Sequence, residues 1–174
     1  MSAADPRQLK ELLVLLSDRQ LTDPEVAPMV DRALLALDDA ASYCNDYPDD
    51  EWITDGFAIE SSEVGQRLLA WVIFDELSPI LSTGDKADEL SEKIVDRLVE
   101  ANIIVSDPPA RLGTLDECVG HLNEELATQE EPSNRKHVLV FATGFTDEIG
   151  LFIVNSNDVE RIKALAARYR VEIT

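Results

Sequence analysis

A chain of 174 residues with 45% hydrophobic side chains holds enough apolar material for one sizeable core, or for two small ones sharing an interface. Its 35 Asp and Glu against 15 Lys and Arg give a formal charge of -20, which argues against a nucleic-acid ligand, because phosphate binding rests on clustered cations. The longest unbroken apolar run, Leu68 to Phe74, falls far short of the roughly twenty residues a membrane-spanning helix needs, so no membrane association is expected.

In chain order, Leu9, Leu12, Leu13 and Leu16 recur at helical spacing and predict a first amphipathic helix from Asp5 to about Asp18. Thr22-Asp23-Pro24-Glu25 opens a second, with a capping residue before a proline suited to the first turn. Its apolar positions from Val26 through Leu37 to Cys44 share a face, which predicts one long helix. An acidic loop follows. A third helix is expected after Ser61 or Ser62, apolar nearly all round through Leu77 and therefore the buried centre of the helical part. Pro79 stops it, and Thr83-Gly84-Asp85 restarts the chain into a fourth helix with Leu90, Ile94, Val95, Leu98 and Val99 on one stripe.

From Asn102 the pattern changes. The short β-branched run "NIIVS" before Asp107-Pro108-Pro109 reads as a strand stopped by a turn. Thr114 and Glu117 form a capping box that opens a helix to about Thr128. After the polar stretch "QEEPSNR", "HVLVFA" and "LFIVN" flank a glycine-containing turn as an antiparallel pair, a helix carries Val159, Ile162, Leu165 and Ala166, and "RVEIT" closes as a strand. The expected class is α+β: an acidic helical, bundle-like part over residues 1–101, then a ferredoxin-like β-α-β-β-α-β part over residues 102–174. If "NIIVS" is only a helix tail, the alternative is a three-stranded sheet packed with the helices as one domain.

The stretch "LDECVGHLNEEL…HVLVFATG…LFIVNSNDVERIKALAARYRVEI" resembles the tail of an uncharacterised bacterial domain family with no established function. The likeness is mainly one of apolar pattern over about the last 60 residues. The resemblance implies a bacterial cytoplasmic domain and no catalytic residues.

Charge is distributed unevenly. Residues 1–133 hold 30 acids and 9 bases, whereas residues 134–174 hold 5 acids and 6 bases. Such a surface favours a basic protein partner electrostatically, while hydration in a salt-rich cytoplasm is the alternative source of the same surplus. The N-terminus carries Asp5, Arg7, Lys10 and Glu11 before any apolar stretch, unlike an export signal, so a cytoplasmic location is expected. Cys44 and Cys118 are too few and too far apart for a disulfide framework and are expected as reduced thiols.

The densest chemistry lies in "NDYPDDEWITDG", Asn45 to Gly56, where Asp46, Asp49, Asp50, Glu51 and Asp55 surround Tyr47 and Trp52. With Gly56 in the sixth place of a calcium loop, Ile53 and Ser62 would occupy ligand places three and twelve, so that template fails. Aromatics interleaved with acids instead suit an interface anchor inside a negative rim, and these seven residues are the candidate partner-binding set. The competing reading is a wet loop with Trp52 folded back over the helices. Cys118 and His121, one turn apart with Glu125 a turn further on, are the candidates for zinc or thiol chemistry, but the core stripe Leu115, Val119, Leu122 and Leu126 puts them at its margin. No metal or cofactor is expected. The nucleophile elbow, zinc-protease helix and phosphate loop are missing, and none of the 7 glycines forms a G-x-G pair. Arg161, Lys163, Arg168 and Arg170 are the one basic concentration, explained by complementing a helix terminus and by ion pairs to the acidic part. The function expected is therefore a non-catalytic acidic binding module, such as an inhibitor, immunity or regulatory protein. The alternative is a small enzyme with a carboxylate, Cys and His cleft between the two parts.

Overall fold

The computed structural model describes residues 4–106, 113–131 and 135–174. The chain is α+β, with helices gathered around a sheet of order β1-β3-β2-β4 in which every neighbouring pair is antiparallel. Helix α1 (Pro6–Leu16) starts where the Asp5 carboxylate accepts the Arg7 N–H at 3.0 Å, and it buries Leu9, Leu12, Leu13 and Leu16 as its spacing requires. The predicted long second helix is broken: α2 is Asp23–Asp38 and α3 is Ala40–Asp46. At the break, Asp39 leaves the helical region (φ -147°), and its carboxylate accepts the Ser42 N–H at 3.0 Å and the Ser42 hydroxyl at 2.7 Å, capping a new helix. The apolar stripe runs through this point uninterrupted, so periodicity alone does not reveal the break.

Helix α4 (Ser62–Glu76) is capped by Ser61 and buries Val64, Leu68, Leu69, Val72, Ile73 and Phe74, the expected centre of the helical layer. It packs chiefly against α2, and Gly65 makes the approach possible, since a Cβ there would stand 3.0 Å from the Leu37 carbonyl oxygen. Next comes β1 (Ser82–Gly84), read from sequence as a turn before a helix. Three small polar residues carry little strand signal, and pairing with β3 (Ile149–Asn155) makes them a strand. Lys93 of α5 (Ala87–Glu100) donates to the Thr83 carbonyl at 2.7 Å, a charged cap that blunts this sheet edge.

"NIIVS" is not a strand. Asn102 closes α5 with a left-handed backbone (φ 60°), Ile103 is buried, and Ile104 is 85% exposed. The turn expected at Asp107-Pro108-Pro109 lies outside the described residues. Helix α6 (Leu115–Ala127) starts at the predicted box, with both reciprocal bonds between Thr114 and Glu117 present. Strands β2 (Lys136–Ala142) and β3 form the expected antiparallel pair, α7 (Val159–Arg168) follows, and β4 (Glu172–Ile173) pairs with the far end of β2. Because β4 is too short to reach Val138, Asn123 of α6 substitutes for it: the Val138 N–H donates to Asn123 Oδ1 at 2.7 Å, and Asn123 Nδ2 donates to the Val138 carbonyl at 3.0 Å.

Strand alternation then sorts the side chains onto two faces. Leu139, Phe141, Phe152 and Val154 join α1, α2, α4 and α7 in the larger core. Val138 and Leu151 join α5 and α6 in the smaller one. This arrangement corrects the ferredoxin-like expectation, in which both C-terminal helices cover one face: α6 and α7 lie on opposite faces, and the first strand comes from the helical half of the chain. The three-stranded alternative is likewise replaced by four strands. The larger core contains residues from both sides of the boundary expected at 101/102.

Candidate functional site

The acidic stretch folds as the end of α3 followed by a 3-10 turn, Pro48–Thr54. A helical turn, unlike an extended loop, sends alternate short segments inward and outward, and here it divides the seven candidate residues into two sets. Asp50 and Ile53 face inward; Asp46, Asp49, Glu51, Trp52 and Asp55 face outward, with Tyr47 half-buried between them. Gly56, with φ 83°, ends the turn in the left-handed region that a side chain resists.

Asp50 is only 9% exposed and has its donors arranged around it. Arg32 Nη2 donates to Oδ2 at 2.8 Å, the Tyr43 hydroxyl to the same oxygen at 2.6 Å, and Trp71 Nε1 to Oδ1 at 2.9 Å. These donors lie on α2, α3 and α4, so one carboxylate ties the turn to three helices. Arg32 also donates to Asp75 at 2.6 Å and to Glu76 at 2.7 Å, and its guanidinium lies 4.5 Å from the Tyr47 ring centroid, stacked in turn on Tyr43. Burial alone would lower the Arg32 pKa, but the bonds to Glu76, Asp75 and Tyr43 outweigh it and hold the guanidinium above its ordinary range. Burial, reinforced by the bond to Asp50 and opposed by Arg32, pushes the Tyr43 phenol up. The reading of Asp50 as a partner contact is therefore corrected: its oxygens are occupied by the fold. The three donors lie 18, 7 and 21 residues away in sequence, and the one signal pointing to them is Trp71, an indole N–H in an apolar helix that needs an acceptor.

The outward set is different. Among the described residues no Lys or Arg stands within ion-pair distance of Asp46, Asp49, Glu51 or Asp55. Trp52 is 45% exposed and packs edge-to-face against Trp71 (centroids 5.4 Å) and Phe145 (6.0 Å). Phe145, absent from the sequence-based candidates, arrives from the β2–β3 turn and brings the acids Asp147 and Glu148 on the same turn. Arg67 of α4 is held between Phe57 (4.5 Å) and Phe145 (4.6 Å) and donates from Nε to the Ile53 carbonyl at 3.1 Å, bracing the turn from below. The resulting surface is an aromatic patch of the exposed Trp52 and Phe57 with the half-buried Phe145, and among the described residues the outward carboxylates of both contributing segments have no ion-pair partner.

Cys118 and His121 are not brought together with a third ligand. Glu125, the expected third group, instead accepts the backbone N–H of Ser106 at 2.8 Å as well as the Ser106 hydroxyl, which holds its carboxyl below the usual range. Among the described residues no group of three or more His, Cys, Asp or Glu side chains is placed to hold a metal ion. Burial pushes both the Cys118 and Cys44 thiols up, away from the thiolate that nucleophilic chemistry requires. His137 bonds to Asn123 at 3.3 Å, and burial, with a smaller contribution from Lys163, pushes its pKa down. A cleft of about 570 Å³ at the other end of α3 is lined by neither Cys118 nor His121. Among the described residues no helix is long and apolar enough to cross a membrane.

Comparison of the chain with protein-family models, with curated proteins and with solved structures finds no match.

Proposed function

We propose that the protein is a non-catalytic binding module that docks a basic protein partner on the outer face of the Pro48–Thr54 turn, as an inhibitor, immunity or regulatory protein does. The observation that carries this reading is the combination at Trp52: a large indole left 45% exposed, seated on a turn whose outward carboxylates have no ion-pair partner among the described residues. Charge supplies the choice of partner. Four outward acids between Asp46 and Asp55, none with an ion-pair partner among the described residues, in a chain of charge -20, attract a cationic surface and speed its encounter, while Trp52 supplies apolar area to hold it. Rigidity adds to the fit. The bonds that fix Asp50 set the turn before any partner arrives, so little ordering entropy is lost on docking. The revised contact set is Asp46, Asp49, Glu51, Trp52 and Asp55 with Phe145, and Tyr47 at its inner edge.

The test compares three immobilised chains against a native lysate: the unaltered protein, Asp49→Lys/Glu51→Lys, and Glu92→Lys/Asp96→Lys, which reverses two exposed acids on α5. The expected result is a basic protein retained by the first and third at low salt, released at high salt, and not retained by the second. Retention that survives the turn reversal, or that fails equally with the α5 reversal, overturns the reading, because bulk acidity would then account for it.

A further inference from the structure

The start of α3 borders a cleft of about 570 Å³, within the range of small-molecule sites, which the docking surface does not use. Its lining combines the apolar Leu37, Ala40 and Ile59 with side chains of both charge signs. Arg168, at the end of α7, and Arg170, just after it, line the cleft together with Asp38 at the end of α2, Glu60, and Asp5 and Asp39, whose carboxylates cap α1 and α3. Among the described residues neither arginine makes an ion pair, although carboxylates line the same cleft. This sets them apart from Arg161, about two turns before Arg168 on α7, which is satisfied by Glu11 at 2.7 Å and 2.5 Å.

Arg170 has a further peculiarity. It occupies the position after α7 where the chain turns left-handed (φ 55°), with the Val171 N–H donating to the Ala166 carbonyl at 2.9 Å. Glycine takes that conformation without strain, and arginine does not. A side chain is thus present at a position where the backbone favours none, and it lines the cleft.

We propose that this cleft binds a small dipolar molecule, of amino-acid or dipeptide size, that carries both an ammonium and a carboxylate group. The ligand's carboxylate would lie against Arg168 and Arg170, its ammonium toward Asp38 and Glu60, and its side chain against Leu37 and Ile59. A purely anionic ligand would meet the lining carboxylates and the field of a chain of charge -20; a purely cationic one would meet two guanidinium groups that make no ion pair among the described residues. A net-neutral molecule with separated charges satisfies both sets of lining charges. Paired Arg donors also suit a carboxylate geometrically, since a planar guanidinium can bind both of its oxygens.

The test is an amide-shift titration of the full chain with three probes of one size: glycyl-L-leucine, its N-acetyl derivative and its C-terminal amide. The expected result is saturable shifts at Ala40, Ala41, Ser62, Gly65 and Arg170 with the dipeptide, and at least tenfold weaker binding of both singly charged derivatives. Arg168→Ala/Arg170→Gly should abolish the response with an unchanged melting temperature, because glycine fits the left-handed site. Asp38→Asn should weaken the dipeptide while leaving the N-acetyl derivative as it was. No saturable shift with any probe, equal binding of all three, or undiminished binding by the double variant each overturns the proposal. Neither Trp52 nor the acidic turn takes part, so failure here leaves the docking surface standing, and the converse holds.

Discussion

Asp49 and Asp50 are adjacent in the chain and differ in almost everything else. Asp49 faces water with no cation beside it among the described residues, whereas Asp50 is buried beneath three donors from three helices. The same contrast extends to the two tryptophans they accompany. Trp71 lends its N–H to Asp50 and supports the turn, while Trp52, packed edge-on against it, is presented outward. One face of a seven-residue turn is thus a fastening and the other a surface, and local acidity does not distinguish them. What distinguishes them is whether the fold has already supplied a partner for the charge.

Neutralising each acid in turn tests that contrast most strongly. Asp50→Asn leaves Arg32 short of one buried counter-charge and disturbs two further donors, so it should cost about 3–5 kcal/mol of stability. Asp49→Asn should stay within about 0.5 kcal/mol. Urea unfolding of the two variants under one set of conditions measures the difference. Equal midpoints would mean that the buried node carries no stability.

Tyr43→Phe comes next in size. It removes a bond to a buried carboxylate, at a cost of about 1.5–3 kcal/mol. It also changes the pH response. The Tyr43 phenol is held protonated in the folded state above its ordinary value of 10.0, so above about pH 10 the unfolded chain releases a proton that the folded one keeps. Stability is therefore fully present below that pH and falls as pH rises through it toward the raised folded value. Unfolding midpoints measured from pH 8 to pH 11 should decline more steeply for the unaltered chain than for Tyr43→Phe; parallel curves would exclude the phenol as the source.

Much of this was legible in the sequence, and the failures share a cause. The cap at Thr22, the capping box at Thr114, the leucine stripe of α1 and the β2–β3 pair are local signals, and each is realised where expected. The break at Asp39 is local too, but it competes with an apolar stripe that runs past it. Long-range determination explains the rest. Ser82–Gly84 is a strand because β3 lies beside it, and "NIIVS" is not one because Ile103 is buried in the smaller core while among the described residues no strand pairs with its backbone. The role of Asp50 was hidden for the same reason: its donors converge only after α2, α3 and α4 have packed.

Removal of the outward indole should cost less. Trp52→Ala gives up edge-to-face packing on Trp71 and Phe145, about 1 kcal/mol for an aromatic contact of this kind, with a small drop in melting temperature. Its expected effect on partner binding is far larger than on stability. The two measured together separate an anchor from a lid over the helices: a lid would lower stability and leave binding intact.

The smallest effect on folding is expected where the functional consequence is greatest. Asp49→Lys/Glu51→Lys changes the charge of the turn by four units without touching a hydrogen bond of either side chain, and stability should stay within about 0.5 kcal/mol per site. Exposed charges act over about 10 Å at 0.1 M salt, so the reversal should slow association with a basic partner most at low ionic strength and progressively less as salt is added. Stopped-flow association rates across a salt series read this directly. If the two proteins differ by the same factor at every ionic strength, the carboxylates act through short contacts and steer nothing; if the variant unfolds, the outward face is structural after all, and the division between Asp49 and Asp50 fails with it.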